Sequence, residues 1–157
     1  MRFAWCERKG RSGHEAGREL LQLLYREEFG KEPPEIAIAP KGKPYFTDGS
    51  VHFSISHTPR HAFCVLSYRN IGLDAEELDR EISLKLAQKV LSQREKQQFE
   101  GADDKRRALL TFWVLKEAEA KRTGEGLRIW PNHTDFSLDD PRVREVGGCL
   151  VAILEDD

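Results

Sequence analysis

One long helical segment in the second half of the chain separates two groups of predicted strands. Asp103 or Asp104 can cap its first turn, and its helical pattern covers residues 105–122 before Thr123 and Gly124 end it. A helix of this kind must bury its apolar side against another layer of structure. We therefore expect the strands on either side of it to supply that layer.

The first half of the chain predicts a small sheet with one helix packed on it. Residues 12–15 have the form of a capping box, and apolar residues at helical spacing follow them as far as Gly30. A turn at Arg69 and Asn70 predicts a hairpin, so that the acidic strand after it ends an antiparallel meander. The predicted strands of this half are residues 2–6, 36–38, 51–56, 61–68 and 71–76.

The second half changes to the period of helices and then returns to strands. Helices are predicted at residues 82–90 and 92–99, and after the long helix come a turn at 124–127 and strands near 135–138 and 148–154. This order predicts an α+β protein with two pseudo-related lobes, each a helix packed on a small antiparallel sheet. The lobes would cover about residues 1–70 and 71–157 of a single domain.

Length and charge exclude several classes of protein. With 157 residues, the chain has enough sequence for one good core or two small packed lobes. Its formal net charge is only −2, which argues against a nucleic-acid or membrane partner. No apolar run approaches the roughly 20 residues of a membrane span, and residues 1–6 lack the apolar core of a secretion signal. We therefore expect a cytoplasmic protein, and a single lobe pair favours a monomer.

The three cysteines predict no metal or disulfide chemistry. Cys6, Cys64 and Cys149 are scattered, odd in number, and each lies in a short apolar run. No CxxC pair or other metal-ligand spacing is present. The sequence therefore favours reduced cysteines in the core over a disulfide or a zinc site, which also agrees with a cytoplasmic protein.

Two acidic motifs could together hold a divalent cation. Asp74 and Glu76 share one face of a predicted strand, while Trp113, Glu117 and Lys121 share one face of the long helix. Magnesium takes oxygen ligands and is often completed by substrate phosphates, so three carboxylates could hold it against an anionic substrate. Each motif alone also has an ordinary explanation, namely a solvated salt bridge on the helix and a charged loop at a strand end.

Three further residues could contact an anion. Ser56 and His57 close a strand, and Lys43 lies between a glycine and a proline on a stiff turn. A capped turn with an exposed imidazole, and a turn lysine without a ligand, are the simpler alternatives. A hydrolase with a serine nucleophile is disfavoured, because neighbouring strand residues point to opposite faces and His57 would not reach the Ser56 hydroxyl.

Four motifs occur in a fixed order along the chain. They are Gly42-Lys-Pro44, Phe53-Ser-Ile-Ser-His57, Gly72-Leu-Asp-Ala-Glu76 and Trp113-Val-Leu-Lys-Glu-Ala-Glu-Ala-Lys121. Together they resemble the motifs of the 4′-phosphopantetheinyl transferases of the surfactin-synthetase-activating type, which follow in the same order at similar spacing. The last motif is the most specific, and the resemblance runs from about Ser12 to the end of the chain.

The resemblance implies transfer of the phosphopantetheine arm of coenzyme A to a serine of an acyl or peptidyl carrier protein, with release of 3′,5′-ADP. It implies that Asp74, Glu76 and Glu117 hold magnesium against the pyrophosphate of coenzyme A. It also implies that Glu117 takes the proton of the serine, directly or through water.

The resemblance assigns phosphate contacts to another set of residues. Lys43, Ser56 and His57 would contact the phosphates of coenzyme A, and Lys121 would steady the pyrophosphate. Family members are usually longer by some tens of residues, mostly at the N-terminus, where part of their adenine and 3′-phosphate contacts lie. The basic residues that could substitute are Arg8, Lys9 and Arg11.

The acidic strand and the strand before it depart from the family pattern. Leu73 and Ala75 stand where the family has branched residues, and Ser54 stands where it prefers asparagine, which we expect to affect a turn. Two other functions are alternatives: a non-catalytic module that binds coenzyme A or a carrier protein without magnesium, and a metal-dependent phosphohydrolase. The sequence lacks the dense aspartate and histidine clusters expected of the phosphohydrolase.

Overall fold

The computed structural model describes residues 1–126 and 134–157. Its helices and antiparallel sheets confirm the predicted α+β class. The elements in chain order are β1 (Arg2–Glu7), α1 (Gly13–Phe29), β2 (Ile36–Ile38), β3 (Pro44–Phe46), β4 (His52–His57), β5 (His61–Ser67), β6 (Ile71–Glu77), a 3-10 turn (Leu84–Leu86) leading into α2 (Ala87–Val90), α3 (Gln93–Gly101), α4 (Lys105–Thr123), β7 (Val143–Val146) and β8 (Cys149–Glu155).

The first sheet has the strand order β1, β5, β4, and both neighbours run antiparallel to the central β5. Strand β5 is buried along its whole length because it is covered on both faces. Cys64 and Leu66 pack in the core beneath α1, whereas Phe63 and Val65 pack in the core shared with the second sheet. Strands β2 and β3 form a separate antiparallel pair.

Both long helices begin and end where the sequence predicts. The Ser12 hydroxyl accepts a hydrogen bond from the Glu15 amide at the start of α1, and Gly30 ends that helix in the left-handed conformation. Asp104 caps α4 in the same way, and Gly124 ends it with a φ of 72°. Glycine adopts this conformation without steric cost, which is why both helices stop there. The last residue of the turn predicted after α4, Leu127, lies outside the described residues.

The second sheet has the strand order β6, β8, β7, with α4 packed on it. The predicted hairpin between β5 and β6 is wrong, because β6 pairs with β8 and not with β5. The acidic strand therefore does not end a meander but belongs to the second sheet. The division into lobes of about residues 1–70 and 71–157 stays a prediction. The first sheet takes its strands from residues 2–67 and the second from residues 71–155.

The predicted strand at residues 135–138 is also wrong, and β7 was missed. The backbone of this segment is satisfied by side chains of α3 instead of a neighbouring strand. Glu95 accepts a hydrogen bond from the Phe136 amide at 3.3 Å, and Gln98 accepts one from the Leu138 amide at 3.0 Å. The strand that pairs with β8 is Val143–Val146, whose charged centre hides its alternation in the sequence.

Serine hydroxyls join the two sheets. Ser54 Oγ accepts a hydrogen bond from the Leu73 amide at 3.0 Å, and Ser56 Oγ accepts one from the Ala75 amide at 3.2 Å. These bonds satisfy the edge of β6 that is not paired with β8. Ser54 therefore lies within the strand that was predicted over residues 51–56, and its hydroxyl has a structural partner. The expected effect of this residue on a turn is wrong, because Ser54 is not in a turn.

Candidate active site

The close packing of α4 on β6 depends on Gly72. A methyl group added at this residue would overlap the carbonyl oxygen of Ala118 and the backbone of Arg122. Only a residue without a side chain lets the two backbones approach so closely. We call this contact the β6–α4 interface, and it brings the acidic residues of the strand beside those of the helix.

Asp74 is the buried acid of the β6–α4 interface. Its Oδ1 accepts hydrogen bonds from Lys121 Nζ at 2.8 Å and from Ser56 Oγ at 3.1 Å. Its Oδ2 is buried and has no hydrogen-bond partner among the described residues. Burial raises the pKa of Asp74, although the Lys121 charge opposes the rise. A buried carboxylate oxygen without a partner costs free energy, and a bound cation would remove that cost.

The charge of Asp74 interacts electrostatically with the carboxyl groups of Glu117 and Glu76. Burial and the Asp74 charge raise the pKa of Glu117 to about 7. The same two causes raise the pKa of Glu76, against the effects of Arg80 and a hydrogen bond from Trp113. Because the three carboxylates repel one another, a divalent cation between them would stabilise all three.

Lys121 pairs with Asp74 across the interface. No ion pair joins it to Glu117 in the ranges 1–126 and 134–157, so the ordinary explanation of a solvated salt bridge on the helix is wrong. The three acids are spaced too widely for one oxygen from each to lie within 4.8 Å of the others. Magnesium is commonly held by one or two carboxylates, with water and substrate phosphates as the other ligands, so these hard oxygen donors still fit it.

A cleft of about 260 Å³ opens beside Glu117 and Lys121. Lys43 lines it, but its Nζ donates hydrogen bonds to Asn70 Oδ1 at 2.6 Å and to the Arg122 carbonyl at 2.5 Å. Lys43 therefore ties the Gly-Lys-Pro turn to the end of α4. Burial lowers its pKa. The sequence gives no sign of this structural role, because both partners are distant along the chain.

His57 lies beside the N-terminus of α1. A methyl group added at Gly13, the first residue of that helix, would overlap the His57 ring. Burial lowers the pKa of His57, and the nearby charges of Arg8 and Lys121 lower it further. The positive charges around His57, and the amides at the N-terminus of α1 that have no acceptor within the helix, favour an anionic ligand. Ser56, the preceding residue, is buried with its hydroxyl directed to β6.

A buried ion pair behind Glu117 was not found from the sequence. Lys116 Nζ lies 2.7 Å from Glu95 Oε1, and both side chains are almost wholly buried. Glu95 also completes the capping box of α3 by accepting a hydrogen bond from the Ser92 amide. Lys116 follows Leu109 and Phe112 at the helical spacing of the buried face, which is the signal that could have predicted its burial. The pair fixes α4 against α3 directly next to Glu117.

Comparisons with known proteins decide the family. The family model of the 4′-phosphopantetheinyl transferase superfamily matches residues 70–149. These residues include β6 with Asp74 and Glu76, and α4 with Glu117. The chain belongs to the 4′-phosphopantetheinyl transferase superfamily.

Three curated members of this superfamily are similar to the chain. It is 31% identical over 122 residues to the 4′-phosphopantetheinyl transferase HetI of Nostoc sp., a match that covers 71% of this chain and 52% of HetI. It is 31% identical over 107 residues to the 4′-phosphopantetheinyl transferase gsp of Aneurinibacillus migulanus, with 67% and 44% covered. A 4′-phosphopantetheinyl transferase of Bacillus subtilis is 26% identical over 118 residues, with 72% and 52% covered. The chain thus spans about half the length of these phosphopantetheinyl transferases.

Two smaller predictions can also be compared with the structure. Cys6, Cys64 and Cys149 are all free thiols; Cys64 and Cys149 are buried, as predicted for core cysteines, whereas Cys6 is only partly buried. None of the helices described for this member of the superfamily is long and apolar enough to cross a bilayer.

Proposed function

We propose that this chain transfers the 4′-phosphopantetheine arm of coenzyme A to a serine of an acyl or peptidyl carrier protein, with Mg²⁺ as cofactor and 3′,5′-ADP as the second product. The observation that supports this most strongly is the unpartnered, buried Oδ2 of Asp74 beside two further carboxylates. Membership of the superfamily supplies the class of reaction.

The proposed reaction exchanges one phosphorus–oxygen bond for another. The serine oxygen of the carrier attacks the phosphorus atom that bears the pantetheine arm. The bond from that phosphorus to the bridging oxygen of the pyrophosphate breaks, and its electron pair leaves with 3′,5′-ADP. Bound magnesium would neutralise the charge that builds up on the pyrophosphate. The serine proton goes to Glu117, directly or through a water molecule.

The metal ligands in this proposal are Asp74, Glu76 and Glu117. They are fixed by the backbones of β6 and α4, so little reorganisation is needed when charge develops in the transition state. Lys121 supplies a fixed positive charge at the same interface, where it already balances Asp74. A carboxylate bound to a metal is a weak base, which makes proton transfer from the serine through water a suitable route to Glu117.

We further propose that Lys43, Ser56 and His57 contact the phosphates of coenzyme A. The positive surroundings of His57 and its place at the N-terminus of α1 support this role. Lys43 lines the cleft beside Glu117 and Lys121. The Ser56 hydroxyl donates to Asp74 Oδ1 in this structure, so it would have to turn from Asp74 to donate to a phosphate.

The proposed transfer is tested by the intact mass of an apo carrier protein after incubation with this chain, coenzyme A and Mg²⁺. We expect the carrier to gain one phosphopantetheine arm. A chelator should abolish the gain, and Glu117→Gln should slow it by at least about 100-fold, because it removes both a metal ligand and the proton acceptor.

A matched variant, Glu100→Gln, neutralises an exposed carboxyl at the end of α3 and should leave the rate unchanged. If several apo carriers gain no mass while the chain is folded, the transferase proposal is wrong. Magnesium-independent binding of coenzyme A would in that case favour the non-catalytic binding module.

A further inference from the structure

A second group of potential metal ligands lies at the end of β6, outside the proposed active site. His61 is the first residue of β5, Glu77 is the last residue of β6 and Cys149 is the first residue of β8. Glu77 and Cys149 are directly paired in the β6–β8 ladder, and His61 reaches them from the first sheet. Each residue is buried at a strand end, so the backbone fixes all three positions.

The distances from His61 to the other two ligand atoms are close to those of a tetrahedral zinc site. His61 Nδ1 lies 3.1 Å from Glu77 Oε1 and 3.6 Å from Cys149 Sγ, and all three atoms lie within 4.8 Å of one another. Zinc bonds of about 2.0–2.1 Å to nitrogen or oxygen and about 2.3 Å to sulfur place tetrahedral ligand atoms about 3.3–3.6 Å apart. The His61–Glu77 and His61–Cys149 distances are close to these values, and the 4.8 Å limit allows the third pair to approach them.

We propose that His61, Glu77 and Cys149 form a zinc-binding site that is separate from the magnesium site. A set of one nitrogen, one oxygen and one sulfur ligand favours zinc and disfavours magnesium, which takes oxygen ligands. The spacing of these residues along the chain, 61, 77 and 149, carries no metal signature, so the sequence predicts only core residues here.

Neighbouring side chains orient the three ligands. Thr58 Oγ1 donates a hydrogen bond to Glu77 Oε1 at 2.6 Å. The ring of Trp5 packs against that of His61, with 5.7 Å between the two ring centroids. Arg60 binds the other carboxylate oxygen, Oε2, at 2.8 Å. The Arg60 charge is shared with Asp79, to which the same guanidinium nitrogen also donates at 2.8 Å. Outer contacts of this kind fix the ligands and adjust their charge in metal sites.

A cavity of about 760 Å³ gives the site an entry path. Its wall includes His61 and Glu77, together with Gly147 and Gly148 from the turn before β8. The basic residues that also line it are Arg8, Lys9, Arg11 and Arg60. Cys149 is wholly buried next to that turn. The cavity has room for a water molecule as the fourth ligand, which three protein ligands leave to be filled.

The same atoms could instead serve only as a hydrogen-bond network between the two sheets. Burial and the Glu77 charge raise the pKa of the Cys149 thiol to about 12, so without a metal the sulfur keeps its proton. Zinc binding would replace that proton and release it to solvent, because the thiolate is the ligand form. A thiolate–metal bond is therefore the property that separates a zinc site from a hydrogen-bond network.

Cobalt titration of the chelator-treated chain tests the site, because Co²⁺ takes zinc positions and reports thiolate bonds in its spectrum. We expect a single equivalent of Co²⁺ to produce thiolate-to-cobalt charge-transfer absorption, and Zn²⁺ to bleach it. Cys149→Ser should abolish this absorption, and His61→Gln should weaken cobalt binding by about 10-fold or more. Cys64→Ser is the matched control, since Cys64 is equally buried but belongs to no cluster of three potential metal ligands within residues 1–126 and 134–157.

Circular dichroism of each variant separates loss of the site from loss of the fold. If the folded wild-type chain gives no charge-transfer absorption, or if the absorption survives Cys149→Ser, the zinc site is rejected. Because the readout is a sulfur–metal band and not transfer activity, failure of the proposed transferase function would leave this result unaffected.

Discussion

At the scale of single residues, Asp74 is the group on which the proposed chemistry depends. It is buried at the β6–α4 interface, and one of its oxygens binds Lys121 and Ser56 while the other has no partner in the described part of the chain. Removing the Asp74 carboxylate would leave the Lys121 ammonium at the interface without this partner. Asp74 therefore contributes both to stability and to the proposed metal site.

The raised pKa of Glu117 predicts how stability depends on pH when magnesium is absent. Its pKa is about 7 in the folded chain and near 4.5 without the fold. A carboxyl group with a raised folded pKa stabilises the fold fully below its unfolded pKa, and this contribution is lost as the pH rises through the folded value. Between about pH 5 and pH 8 we expect the free energy of unfolding to fall by about 1–2 kcal/mol, after allowance for solvent screening.

Urea unfolding in the presence of a chelator measures how far the free energy of unfolding decreases with pH. Glu117→Gln should reduce the change in unfolding free energy between about pH 5 and pH 8, whereas the exposed-site variant Glu100→Gln should keep it. An unchanged pH dependence in Glu117→Gln would show that this carboxyl is not perturbed as described.

The sequence predicted the strand and the helix that carry the candidate site residues better than it predicted the contacts between them. Spacing alone put Asp74 and Glu76 on one strand face and Glu117 with Lys121 on one helix face. It could not show that Lys121 pairs with Asp74, because that contact joins residues 47 positions apart. For the same reason it could not show that Lys43 binds the end of α4.

At the scale of elements, the contact between α4 and β6 determines the geometry of the candidate site. Gly72 allows the two backbones to touch, and the Lys116–Glu95 ion pair holds the other side of α4 against α3. Both contacts lie within one or two helical turns of Glu117. Together they fix the height and rotation of the helix that carries Glu117 and Lys121.

Gly72→Ala is expected to destabilise the fold and to reduce transfer. The added methyl group meets backbone atoms of α4 and not a movable side chain, so the helix must shift. We expect a loss of about 1–3 kcal/mol in unfolding free energy by urea denaturation, and a loss of magnesium-dependent activity in the fraction that stays folded.

Gly101→Ala is the matched control for this substitution. Gly101 is the last residue of α3, and a methyl group there meets nothing within 4 Å. The control should be neutral or slightly stabilising, since alanine favours helices over glycine. Equal effects of the two substitutions would contradict the role assigned to Gly72.

The elements themselves were predictable where local signals mark them. Caps and left-handed glycines gave the ends of α1 and α4 because those interactions involve residues only a few positions apart. The hairpin between β5 and β6 and the strand at residues 135–138 failed for the opposite reason. Their backbone partners are β8 and the side chains of α3, which lie far away in sequence.

At the scale of the whole molecule, the two sheets meet through β4 and β6. The hydroxyls of Ser54 and Ser56 bind the free edge of β6, and a shared core with Phe63 and Leu73 fills the space between the sheets. His57 belongs to the first sheet, whereas Asp74 belongs to the second. The proposed coenzyme A site therefore takes its phosphate contacts mainly from one sheet and its metal ligands from the other sheet and α4.

Calorimetric binding of coenzyme A, with and without Mg²⁺, tests most directly whether the phosphates and the metal meet at the β6–α4 interface. We expect Mg²⁺ to tighten binding by about 10-fold or more in the wild-type chain and in Glu100→Gln. Asp74→Asn should lose this gain, because it removes the charge beside the unpartnered oxygen while keeping the size of the side chain. Binding of coenzyme A that is equally tight with and without Mg²⁺, or a gain that survives in folded Asp74→Asn, would contradict the assignment of the metal site.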